Sequence, residues 1–129
     1  IHEQVGDDNI FLFGMKAHEV DELWRKGYNP NDYLTDELRA VLDMLTSGIL
    51  GQRFDDLVAS LLTSRFGVAD PYMTVADFTD YTRAQKLVAQ TYRDAEKFGR
   101  MSVTNIAKAG IFSSDRAVEE YAENIWYLK

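Results

Sequence analysis

"NIFLFG", Asn9 to Gly14, is the stretch on which the fold turns. It is a short, continuously apolar run closed by a glycine and preceded by the turn-like "GDDN", Gly6 to Asn9. A run of this kind, too short for a helix and without polar alternation, predicts a strand buried on both faces, as in a parallel sheet. A parallel strand needs neighbours, and only "YMTV", Tyr72 to Val75, offers a weak second candidate. An orphan buried strand points to a piece of something longer. So does the opening Ile1-His2-Glu3, which has no initiator methionine.

Working outward, the rest reads as helix. "AHEVDELWRKG" places Val20, Leu23 and Trp24 at i, i+3, i+4, carries Arg25 and Lys26 in its last turn and stops at Gly27. Thr35 is positioned to cap "DELRAVLDMLTSG", whose Leu38, Val41, Leu42 and Leu45 share a face that Gly48 terminates. "FDDLVASLLTSRFG" repeats the pattern with Phe54, Leu57, Val58, Leu61 and Leu62. "TVADFTDYTRAQKLVAQTYRD" is the longest candidate, with a stripe of Phe78, Tyr81, Gln85, Val88 and Tyr92. "EKFGRMSVTNIAKAG" follows. A final helix over 114–127 starts at Ser113 or Ser114, with Asp115 in the first turn, where the helix dipole favours a carboxylate. Its stripe is Val118, Tyr121, Ala122 and Ile125.

The bulk composition bounds the function classes. A chain of 129 residues, 46% hydrophobic and 27% charged, is one domain's worth of globular material. A net charge of −7 argues against a nucleic-acid partner, which requires a basic face. No apolar run approaches the roughly 20 residues of a membrane span. The absence of cysteine excludes disulfides and thiolate metal sites and is compatible with a reducing compartment.

Chemistry-bearing residues are sparse. His2 and His18 are the only histidines, and His18 lies in a helix without an i+4 ligand partner, so no metal site is expected. No glycine-rich phosphate loop is present; Gly6 and Gly14 are too far apart. Asp7 and Asp8 could act as paired acids, but read better as a turn. Asp55 and Asp56 suit a helix start. Phe78, Tyr81 and Tyr92 could form a sugar-stacking platform, though their helical spacing makes core packing the expected role. Ser113 and Ser114 have no neighbouring base and read as caps. The residues alone thus name no active site.

A resemblance supplies what they do not. "VGDDNIFLFG", "KGYNPNDYL", "ADFTDYTRAQ" and "FGRMSVTNIAKAGIFSSDRAVEEYAENIW", in this order, resemble the C-terminal end of the α-glucan (glycogen, starch, maltodextrin) phosphorylases. The most specific part holds Arg100, Met101, Asn105, Ile106, Ala107, Gly110, Phe112, Ser113, Ser114, Asp115, Arg116, Tyr121, Ala122, Ile125 and Trp126. Between "TSGIL" and "ADF" the chain departs from the animal enzymes, which points to a bacterial member.

The resemblance implies a cytoplasmic, homodimeric glycosyltransferase that uses phosphate to release glucose 1-phosphate from an α-1,4-glucan with the aid of pyridoxal 5′-phosphate. It implies a mostly α fragment with one buried parallel-type strand, residues 1–129 forming the C-terminal portion of the second Rossmann-like (pyridoxal-phosphate) domain of a two-domain GT-B fold. The final helix, 114–127, is expected to cross toward the N-terminal domain. The cofactor lysine of such enzymes lies upstream of residue 1; Lys16, Lys26, Lys86, Lys97, Lys108 and Lys129 do not match its motif. No catalytic, cofactor-binding or metal residue is therefore carried onto this chain, whose role is structural. Its expected partner is the remainder of the phosphorylase, with no nucleic acid and no membrane. The alternative is an independent helical interaction or regulatory module.

Overall fold

The computed structural model describes residues 1–49 and 51–128, with the side chain of Phe66 outside the description. Leu50, in the "TSGIL" connection, and Lys129, among the lysines considered above, lie outside the described residues. Among those described there are seven α-helices: α1 His2–Val5, α2 Ala17–Lys26, α3 Asp36–Ser47, α4 Asp55–Leu62, α5 Thr74–Tyr92, α6 Ala95–Lys108 and α7 Ser114–Asn124. Short 3-10 turns occupy Asp7–Asn9, Pro30–Tyr33, Ser64–Phe66 and Ala109–Phe112.

No strand occurs among the described residues, so the expected buried parallel-type strand, and with it the Rossmann-like sheet, is not the architecture of this chain. The reason lies in how the backbone of Asn9 to Met15 is satisfied. Ile10 is extended, with φ −142° and ψ 148°. Its neighbours, however, bond to side chains from helices rather than to a second strand. Asn105 Nδ2 donates to the Asn9 carbonyl at 2.8 Å and Arg83 Nη2 to the Leu12 carbonyl at 3.1 Å. Gly14 N–H donates to Asp80 Oδ2 at 2.9 Å and Met15 N–H to Asp77 Oδ1 at 3.0 Å. Side chains thus replace the ladder that a buried backbone requires. Leu12 and Phe13 are half exposed, unlike a strand covered on both faces. "YMTV" is not a strand either, because Met73 has a φ of 55° and α5 begins at Thr74.

The helical expectations fare better, with shifted ends. Thr35 Oγ1 accepts from Leu38 N–H at 3.2 Å, and Gly27 and Gly48 close α2 and α3 in left-handed conformation. The fourth helix stops at Leu62 instead of running to Gly67; the Thr63 hydroxyl then caps a separate 3-10 turn. Ser113 caps α7, its Oγ accepting from Asp115 N–H at 3.2 Å. That helix ends at Asn124, short of residue 127. Ile125 and Trp126 N–H both turn back onto the Tyr121 carbonyl, and Leu128 N–H reaches the Ala122 carbonyl.

The chain divides into two compact units. Leu12–Gln85 forms one, and Ile1–Phe11 with Lys86–Lys129 forms the other. The first has a core of Leu38, Leu42 and Val75, against which Leu34, Leu45, Val58, Leu61, Leu62 and Phe78 pack. The i, i+4 pair of α3 thus meets α4 and the first turn of α5, and each such buried side chain contributes roughly 1.5–3 kcal/mol. The second unit buries Val5 and Met101. Its helices are held largely by local bonds. Asp94 Oδ1 accepts from Lys97 N–H at 3.0 Å, Arg100 donates to Glu96 at 2.6 Å, and Arg116 pairs with Glu120.

The long helix α5 covers a different face from the one its aromatics suggest. Its buried positions are Val75, Ala84 and Thr91, and Asp77, Asp80 and Val88, which share a face with Ala84 and Thr91, are partly buried. Tyr81 and Tyr92 are exposed, so core packing holds for Phe78 but not for them. The displacement follows from Asp77 and Asp80, whose carboxylates turn toward the incoming backbone at Gly14 and Met15.

Candidate functional site

The loop leading into α5 is built around Asp70. Its Oδ1 accepts from Thr74 N–H at 2.9 Å, and its Oδ2 accepts from Val75 N–H at 2.8 Å and from the Tyr28 hydroxyl at 2.7 Å. The carboxylate thereby satisfies two orphan donors at the helix start and sits at the positive end of the helix dipole. Burial, then the hydrogen bond to Asp70, pushes the Tyr28 phenol well above its usual range. Tyr28 is wedged edge-on against Trp24, ring centroids 5.5 Å apart.

Two residues of this loop have positive φ, Asp70 at 44° and Met73 at 55°. Aspartate tolerates that region; for methionine it costs about 1–2 kcal/mol. Both side chains are 1% exposed, while Tyr72 between them is 88% exposed. The loop is therefore fixed at both ends and turns one aromatic ring into solvent.

Tyr72 borders a cleft of about 410 Å³ whose other walls are Phe13, Thr74, Asp77, Phe78 and Tyr81. Phe13 packs edge-on to Tyr81 at 5.1 Å. The floor is held by the clasp between Leu12–Met15 and α5 described above, in which Arg83 Nε also donates to Asp80 Oδ1 at 2.5 Å. Gly14 is required there. Its φ is 84°, and a Cβ would come within 2.6 Å of Asp77 Oδ2. The Arg83 hydrogen bond, followed by the Gly14 N–H, holds the Asp80 carboxyl below its ordinary value. An adjoining cleft of about 250 Å³ shares Tyr72 and Thr74 with the first. None of the described lining residues of either cleft is a histidine, lysine or cysteine. Aromatic faces, a hydroxyl and a carboxylate are groups with which such a cleft can hold a ligand.

The other residues considered from the sequence are not brought together. His2 pairs with Asp7 on the surface, in the 3-10 turn that the turn reading anticipates, and His18 is exposed on α2. Asp55 receives Arg53 Nε at 2.8 Å, and Asp55 and Asp56 stand in the first turn of α4. Among the described residues no group of three or more His, Cys, Asp or Glu could hold a metal ion, and no helix is long and apolar enough to cross a membrane.

The described lysines do not form a site for pyridoxal phosphate. Lys16, Lys26, Lys86, Lys97 and Lys108 are all exposed, and Lys26 is engaged by Glu22 at 2.6 Å. Lys97 borders a cleft of about 270 Å³, but Asp7 and Asp8 line it too and would repel a phosphate.

Asp70, Tyr28, Tyr72 and Asp77 were not singled out by sequence reasoning. The available signal was the Asp70-Pro71 turn dipeptide four residues ahead of a helix.

The helical chain has clear relatives. Residues 1–128 match the family model described as carbohydrate phosphorylase, and the chain belongs to that family. It is 41% identical to a glycogen phosphorylase of Synechocystis over its whole length. It is 36% identical to the human muscle form over 96% of its length and 35% identical to the rabbit muscle form over the same share. The higher identity to the cyanobacterial protein agrees with the bacterial reading. The chain spans 15% of the length of these relatives.

Proposed function

We propose that the chain is part of an α-1,4-glucan phosphorylase, a glycosyltransferase that takes glucose 1-phosphate from a glucan with inorganic phosphate as the acceptor. The observation that carries this reading is the family match across residues 1–128, together with relatives named glycogen phosphorylase. Within such an enzyme these residues form the C-terminal portion of the pyridoxal-phosphate domain, and their role is structural. The cofactor is held by residues outside this chain, since its own exposed lysines offer no cradle. The parent enzyme is a cytoplasmic homodimer.

The closing helix α7 supports a docking role. Val118, Tyr121, Ile125 and Trp126 are each more than half exposed, and their neighbours Tyr127 and Leu128 are more exposed still. A contiguous apolar surface of this kind marks an interaction site. We assign it to the enzyme's N-terminal domain, toward which the end of the chain projects in the assembled protein.

The test is a phosphorolysis assay on the full-length protein containing this chain, with glycogen and inorganic phosphate. Phosphate-dependent release of glucose 1-phosphate, lost on removal of pyridoxal phosphate, is the expected result. The 129-residue chain alone, supplied with pyridoxal phosphate and reduced with borohydride, is expected to show neither turnover nor specific labelling of one lysine. Turnover by the chain alone would contradict the structural role; no turnover by the full-length protein would contradict the function.

A further inference from the structure

We draw no further inference here: the strongest candidate, the apolar cleft of about 500 Å³ that Ile10 and Phe11 form with Val88 of α5 and Phe98, Met101 and Ile106 of α6, carries nothing, because nothing in the structure shows what covers it.

Discussion

The unit Leu12–Gln85 and the unit Ile1–Phe11 with Lys86–Lys129 are both helical, but hold their helices by different means. The first closes around Leu38, Leu42 and Val75, and fixes the start of α5 with a buried carboxylate. The second forms its helices through caps and i, i+4 ion pairs, and leaves Val103 and Ile106 of α6, Val118 and Tyr121 of α7, and Ile125 just after α7 open to solvent. Surface pairs of this sort contribute only about 0.3–0.5 kcal/mol each. The difference teaches that local signals suffice to make a helix, but only a buried face gives it a place. One unit carries a core cluster, while in the other the buried residues among those described are Val5, Thr91 and Met101.

The largest effect belongs to the buried carboxylate. Asp70→Ala strands the Tyr28 hydroxyl and the Thr74 and Val75 N–H groups, and puts alanine at a φ of 44°. Each lost bond to a charged group is worth about 1.5–3 kcal/mol, but three bonds to one carboxylate do not add in full, so a total loss of roughly 3–5 kcal/mol is expected. Urea melts would measure it, and a loss below about 1 kcal/mol would mean that the first unit does not depend on this cap.

Next comes the aromatic at the end of the second unit. Trp126 lies tilted against Tyr121, centroids 6.1 Å apart, and is 57% exposed. Trp126→Ala should leave the 129-residue chain nearly as stable as before. In the full-length protein it should remove the roughly 1.5–3 kcal/mol of a buried large side chain. Paired thermal melts of both would decide, and the opposite pattern would make Trp126 part of the local core.

The smallest effect is a response to acid confined to the first unit. Asp80 is held below its ordinary value of 3.8, chiefly by Arg83 and then by the Gly14 N–H. A depressed folded-state pKa stabilises above the unfolded value and loses that contribution as pH falls through the folded one. Lowering the pH from about 5 to below 3.8 should therefore loosen the Leu12–Met15 clasp, and Asp80→Asn should flatten this dependence. Nuclear magnetic resonance of the Gly14 and Met15 amides would follow it; shifts insensitive to pH in the parent would contradict it.

How much of this was legible follows from range. Thr35, Gly27 and Gly48 act within a few residues of themselves and were read from the sequence with their proper roles, and the cap of α7, left between Ser113 and Ser114, is Ser113. "NIFLFG" was misread because an apolar run looks the same in sequence whether its backbone meets a strand or the side chains of Asp77, Asp80, Arg83 and Asn105. Those partners lie 62 to 96 positions away. The face of α5 was misplaced for the same reason. Its aromatics dominate the periodic signal, while Asp77 and Asp80 are the residues engaged. Tyr72 and Asp70 fell in a connection that no periodicity describes, so the candidate site became visible only with the loop geometry. The family, by contrast, was readable from "RMSVTNIAKAGIFSSDRAVEEYAENIW" without any structural reasoning.

The comparison between the two units is tested most directly by amide hydrogen exchange, measured on the 129-residue chain and on the full-length protein side by side. Amides of α3 around Leu38 and Leu42, packed on their own core, should be protected to a similar degree in both. Amides of α7 from Val118 to Asn124 should exchange quickly in the chain alone and gain strong protection in the full-length protein. Equal protection of α7 in the two would contradict the account, because it would show that this helix needs no surface beyond its own chain.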